Sequence, residues 1–178
     1  QGCTLLIPGF GLFKDRITRA KTRISRVEGD HVVFANRVRI PLRPMIGTIG
    51  VAPKEGVYNT VIPHDHGGNM DTVDIAAGHA VYFPVNVEGG LLAMGDSKAV
   101  MGEGEVCGTG VEVPVVIRAK IDLVKGLDLP RPVIETSDSW MFLASADTLE
   151  EACRVATGDV VSQLEKESGL SWDDAYML

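Results

Sequence analysis

The stretch Pro63–Asp74, PHDHGGNMDTVD, carries two of the chain's four histidines, His64 and His66, with Asp65, Asp71, Asp74 and Asn69. Residues two apart in extended backbone point to the same side. The imidazoles of His64 and His66 would then share a face, and two imidazoles on one face can hold a transition metal. Gly67 and Gly68 let the backbone turn tightly or approach a ligand closely. Asn69 and Asp71 offer oxygen ligands or hydrogen bonds. Asp, Asn and Gly also build ordinary polar turns, so a metal site and a surface turn are both compatible with the spacing.

A second concentration runs from Gly95 to Glu112, GDSKAVMGEGEVCGTGVE. Asp96, Lys98, Glu103, Glu105 and Cys107 alternate here with Gly95, Gly102, Gly104, Gly108 and Gly110. Such glycine density lets backbone close on a small ligand. Carboxylates crowded together, or set beside a cation, have displaced pKa values and can move protons. If the stretch is a strand, Glu103, Glu105 and Cys107 face one way. The plainer alternatives are a solvated glycine-rich turn, a surface lysine at 98 and a small buried hydrophobe at Cys107. The glycine patterns are not a phosphate loop, a dinucleotide fingerprint or a G-x-S-x-G nucleophile elbow.

The elements that must position these groups read mostly as strands. Twenty glycines and nine prolines punctuate short β-branched runs. CTLLI reads as a strand ended by PGFG, and TRISRVEGDHVVFA as two strands about a Gly29-Asp30 turn. IGTIGVA follows, inside the glycine- and proline-flanked segment Arg43–Pro53. HAVYFPV and GLLAMGD look like a hairpin around NVEGG. GTGVEVPVVIRAKIDLV is the longest strand candidate, with Pro114 marking an edge or bulge. RPVIETSD and SWMFLASA complete the sheets. Leu149, Ala152, Cys153, Ala156, Val160 and Leu164 then recur at helical spacing. Asp147 with Glu150 is the expected start of that helix and Gly169 its end. The expected fold class is α+β, mostly β: sandwich-like antiparallel sheets with an amphipathic helix near the C-terminus, residues 1–178 forming a single domain.

Composition excludes several classes. The net charge of −7 disfavours a general nucleic-acid surface, and no apolar run approaches the ~20 residues of a membrane span. Three dispersed cysteines, Cys3, Cys107 and Cys153, do not form a disulfide framework, and a cytoplasmic setting is expected. The chain opens directly on a strand-like run without an initiator Met. It ends shortly after Ser171 and Asp174, which resemble a capping box. A core fragment of a longer protein is the expectation.

IPGFGLF, PLRPMIGTIGVAP, HGGNMDTVD, VYFPVNVEGGLLAMGD and GEGEVCGTGVEVP, taken together and in order, closely resemble the acetamidase/formamidase family. The resemblance implies hydrolysis of short aliphatic linear amides, such as formamide and acetamide, to a carboxylate and ammonia. It also implies a β-rich fold extended at both ends in full-length members. His66, Gly67, Gly68, Asn69 and Asp71 match the family's H-G-G-N-x-D run, Asp96 its G-D turn, and Glu105 the glutamate of G-[DE]-G-E, with Glu103 at the acidic position before. Lys98 is a departure, since many relatives carry His there.

The mechanism this implies uses a divalent metal, zinc first, held by His66, Asp96, Asp71 and His64. Glu105 would be the base and then the acid, with Asn69, Gly67 and Gly68 as oxyanion donors. A covalent alternative makes Cys107 the nucleophile, activated by Glu105 or Glu103 beside Lys98. A catalytically inactive fragment or binding module is a third possibility. The expected partners are a small amide substrate and further copies of the chain, as a homodimer or higher oligomer, with no nucleic acid and no membrane.

Overall fold

The computed structural model describes residues 1–178. Ten short strands form three antiparallel sheets, followed by two helices. The first sheet is a meander of β1 (Gly2–Leu6), β2 (Lys21–Glu28), β3 (His31–Phe34) and β4 (Val38–Pro41). Its β2–β3 turn is the expected one: Glu28 pairs His31, and Gly29 takes φ 59°, where a Cβ would be strained.

The second sheet has β5 (Met45–Gly50) in the centre, between β6 (Gly67–Asn69) and β8 (Ala93–Lys98). Thr48 is thus opposite Asn69 on one side and Gly95 on the other. The third sheet has β9 (Val133–Glu135) between β10 (Trp140–Phe142) and β7 (Ala80–Tyr82).

The sheets pack through alternate residues. β5 reads buried, half-buried, buried along its length, the period of a strand with one apolar face inward. Its Ile49 meets Ile134 from β9 and Ile75, with Phe83, Met94 and Met141 around them. A second group joins Val32 to Ala99 and Val111, and a third joins Met45, Val73 and Met101. This is the α+β, mostly β arrangement expected.

Residues 111–113 stitch the first sheet to the second. Glu112 exchanges both backbone hydrogen bonds with Cys3 of β1, while Val113 N–H donates to the Ser97 carbonyl of β8 and Ala99 N–H to the Val111 carbonyl. Beyond Val113 the long strand expected through Val124 does not form. Pro114 has no N–H to give and no partner strand lies alongside, so Val116, Ile121 and Leu123 stay exposed. The expected hairpin of HAVYFPV with GLLAMGD is also absent, because β7 pairs β9 while β8 pairs β5.

Helix α1 spans Leu149–Ser168. Its N-cap is Thr148, whose hydroxyl accepts from Glu151 N–H, one position beyond the expected Asp147 and Glu150. Gly169 ends it in left-handed backbone at φ 70°, as the sequence indicates. Helix α2 (Trp172–Met177) starts at Ser171, whose Oγ accepts from Asp174 N–H. No helix is long and apolar enough to cross a membrane.

Candidate functional site

Lys98 ends β8 with its side chain turned inward. Only 2% of that side chain is exposed, the lowest figure for any charged group in the ion pairs of this chain. A buried ammonium requires anionic partners. Four carboxylates supply them: Asp71 Oδ1 lies 2.5 Å from Nζ, Asp96 Oδ2 2.9 Å, Glu105 Oε1 3.5 Å and Glu112 Oε1 4.0 Å. The three ammonium protons have three acceptors within 3.5 Å.

Two glycines shape the slot. A Cβ on Gly47 would stand 2.5 Å from both Asp71 Oδ1 and Lys98 Nζ, and against Asp96 Oδ2. A Cβ on Gly110 would stand 2.9 Å from Lys98 Cδ. Neither distance is tolerable for a real carbon, so the lysine stem runs past Gly110 and its head lies over Gly47.

The backbone that presents the acids is unusual. Only six residues other than glycine have positive φ, and three are acids of this cage: Asp71 at 45°, Asp96 at 52° and Glu105 at 42°. Side chains disfavour that region, and such strain tends to persist where surrounding structure enforces a functional geometry. At Asp96 the cause is visible in the sheet. Pairing steps from Ile46↔Ser97 to Thr48↔Gly95, and Asp96, between them, bends so that its carboxylate reaches Lys98 and lies 3.3 Å from Thr48 Oγ1.

Four carboxylates and one ammonium leave an excess of negative charge. Burial pushes Glu105 up to about 7, helped by the Asp71 charge and opposed by Lys98. Burial also pushes Glu112 up to about 7, against the Lys98 charge and with a hydrogen bond to Asp96. Burial alone would raise Asp96, but its Lys98 hydrogen bond holds it below the usual carboxylate range. For Lys98, burial opposes the charge, and hydrogen bonds to Asp71 and Asp96 more than restore it, so the ammonium persists above its ordinary range. The result is one fixed cation, at least one fixed anion, and two carboxyls that exchange protons near neutrality. A shallow cavity of about 360 Å³, lined by Cys3, Asp96, Ser97, Glu112, Val113 and Pro114, opens beside two of the acids.

The two sequence segments therefore meet, one on each side of β5, but not all of their residues do. Asp71, Asp96, Lys98 and Glu105 come together. Asn69 adjoins them through Thr48, whose Oγ1 donates to Asn69 Oδ1 at 2.6 Å. Asn69 Nδ2 has only a long contact to the Val61 carbonyl, 3.5 Å, and keeps donor capacity.

Glu103 turns away to Arg43, at 3.5 Å, with four-fifths of its side chain exposed. The strand that would align it with Glu105 and Cys107 is a series of turns. Cys107 points its Sγ–H at the Thr109 carbonyl, 3.2 Å away, and the Cys-Glu-Lys trio is not joined by hydrogen bonds. Gly67 N–H is taken by the His64 carbonyl at 2.9 Å, so it is not a free oxyanion donor.

His64 and His66 do lie on one side, stacked at 5.6 Å and both edge-on to Tyr58. Burial lowers the pKa of His66, and the His64 charge lowers it further. Their loop is tied down by Arg131, which bridges Asp65 at 3.0 Å to Asp159 of α1 at 2.6 Å. Neither histidine is among the hydrogen-bonding or ion-pairing partners of Lys98. No three His, Cys, Asp or Glu side chains group as metal ligands. Asp71 and Asp96, expected as ligands, instead hold an ammonium between them, so the residues present do not fit a divalent ion at this centre.

Sequence reasoning passed over Glu112, Gly47 and Thr48. Glu112 had a signal, a single acid in the otherwise apolar run VEVPVVI. Gly47 and Thr48 had none, since their importance comes from what crosses them.

The sequence pattern of the Acetamidase/Formamidase family matches residues 54–143, half of the chain. A formamidase from Methylophilus methylotrophus is 43% identical over 76 residues, 42% of this chain and 18% of that protein. The crystal structure of a predicted acetamidase/formamidase from Thermoanaerobacter tengcongensis superposes with a TM-score of 0.93 at 40% identity, covering 99% of this chain and 59% of that one. An acetamidase structure from Bacillus halodurans gives 0.92 at 40% identity, covering 99% and 60%. The chain thus spans about three fifths of the length of these solved relatives and a smaller share of the formamidase. The family pattern covers β6, β8 and Asp71, Asp96, Lys98, Glu105 and Glu112, the residues that build the cage, and the chain belongs to the Acetamidase/Formamidase family.

Proposed function

We propose that the caged lysine and its carboxylates are the reacting centre of an amidohydrolase that cleaves the C–N bond of short linear amides. The observation that carries this reading is the convergence of three acids with left-handed backbone, Asp71, Asp96 and Glu105, on a buried lysine. The names of the relatives, formamidase and acetamidase, supply the substrate class.

Amides resist hydrolysis because resonance lowers the electrophilicity of the carbonyl and because nitrogen leaves only once protonated. A carboxyl that changes state near neutrality serves both needs. Glu105, as carboxylate, takes a proton from water while the water oxygen bonds to the carbonyl carbon. The carbonyl oxygen gains the displaced electron pair and accepts from Asn69 Nδ2. Glu105 then returns the proton to nitrogen, the C–N bond breaks with its electron pair going to nitrogen, and ammonia departs. The remaining carboxylic acid ionises. Lys98, too enclosed to touch substrate, is a positioning residue: it fixes the carboxylates and sets which of them stays charged.

The test is ammonia release from formamide and acetamide, by this chain alone and within the full length typical of its relatives. Release that depends on Glu105 supports the reading. A folded full-length protein that releases no ammonia from either amide overturns it.

A further inference from the structure

We infer that the acidic cage is a cation site whose cation is built in, so that the Lys98 ammonium takes the place of a divalent metal and the wild-type protein holds none there. The inference rests on the proposed function in that it concerns the same centre, but it is argued from packing and charge.

Without the lysine, four carboxylates directed at one small volume would resemble the donor set of a hard divalent cation. Here the volume is filled. Nζ donates to Asp71 at 2.5 Å and Asp96 at 2.9 Å, short charge-assisted hydrogen bonds, and forms an ion pair with Glu105 at 3.5 Å. The lysine stem is fitted to its slot by the absent Cβ of Gly110, and the head by that of Gly47. A metal could enter only if this side chain, 2% exposed, swung out.

The choice of cation has a chemical consequence. A divalent ion would draw all four carboxylates to the ionised state well below neutrality. A single positive charge cannot compensate four negative ones, so protons must remain on the cage. Glu105 and Glu112 are the two carboxyls raised to about 7, and both are available as proton carriers. With a metal in the same place the centre would gain a Lewis acid and lose those carriers. Lysine in place of a metal thus selects proton transfer by carboxyl groups.

The experiment measures metal first and activity second. Wild-type full-length protein is dialysed against chelator, then titrated with Mn²⁺ and Zn²⁺ by calorimetry, beside Lys98→Ala and the double variant Lys98→Ala/Asp71→Asn. Thermal melts establish that each is folded. The expected result is that wild type binds no ion at the cage, while Lys98→Ala gains a single Mn²⁺ site at least about 100-fold tighter than any wild-type site. Asp71→Asn in that background should abolish the gain. A wild-type ion lost on Asp71→Asn substitution overturns the inference, as does a folded Lys98→Ala protein that binds none. If Lys98→Ala does not fold, the wild-type titration with Asp71→Asn decides. Loss of wild-type activity in chelator, restored by metal, would leave amide hydrolysis standing and remove the built-in cation. Inactivity toward amides with the expected titrations would do the reverse.

Discussion

Lys98 and Asp71, 27 residues apart in sequence, meet at 2.5 Å directly over the bare Cα of Gly47. β8 delivers the lysine and the turn after β6 delivers the aspartate, from opposite sides of β5. Neither could reach the other if the strand between them carried a side chain there.

Gly47→Ala should therefore be costly although alanine favours regular backbone. The new methyl would displace Asp71, Asp96 or Lys98. Overpacking of this kind costs roughly 1–3 kcal/mol, and turnover should fall further than the stability loss alone accounts for. Chemical denaturation and steady-state kinetics on the same preparation check this; unchanged kcat would contradict the proposed role of the cage.

Lys98→Met, which keeps the stem and removes the charge, leaves carboxylates facing one another. Breaking a buried pair from one side costs on the order of 3–5 kcal/mol. The loss should shrink in acid, where protons replace the missing ammonium. Urea midpoints at pH 5 and pH 8 would show it, with the variant closer to wild type at the lower pH.

Glu105→Gln should reduce kcat by roughly 100-fold or more while preserving the fold. In the wild type, Glu105 must be ionised to accept a proton, so kcat/KM should rise with pH through about 7. The variant's residual activity should lack that limb. A pH–rate profile in which the limb survives Glu105→Gln would assign it to another group.

The same carboxyl has an effect on stability with the opposite sense. Its native pKa is raised from 4.5 to about 7, so between those values the native state binds more protons than the unfolded one, and stability falls as pH rises. Glu112 adds to the same window. Stability from these two groups is fully present below about pH 4.5 and is lost as pH passes through 7. Melting temperatures across pH 4.5–8 should decline less steeply in Glu105→Gln than in wild type.

Thr148→Ala should destabilise the chain by about 1 kcal/mol through loss of the N-cap, and Asp147→Ala by much less. Equal effects would return the helix start to Asp147.

The sequence made visible what depends on local pattern. The Gly29 turn, the Gly169 end of α1 and the Ser171 start of α2 follow from backbone preferences and periodicity. What was hidden arises across sheets. Pairing of β7 with β9 and of β8 with β5 is decided by long-range burial of Ile134 and Ile49, which adjacency in the chain does not reveal. The run after Pro114 carries β-branched residues but finds no neighbour, and propensity without a partner does not make a strand. His64 and His66 drew attention by type, yet Lys98 gathers the acids, because a buried lysine is unusual only once its burial is known. The left-handed φ of Asp71, Asp96 and Glu105 has no signature in residue type.

Glu112 joins two jobs that are usually separate. Its main chain clamps the N-terminal strand against β8, and its side chain is one wall of the charged chamber. A slipped register at Cys3 would shift a wall of that chamber without touching any reacting atom. Strand β1 thereby acts as a brace, and its seating sets how sharply the chamber holds its protons.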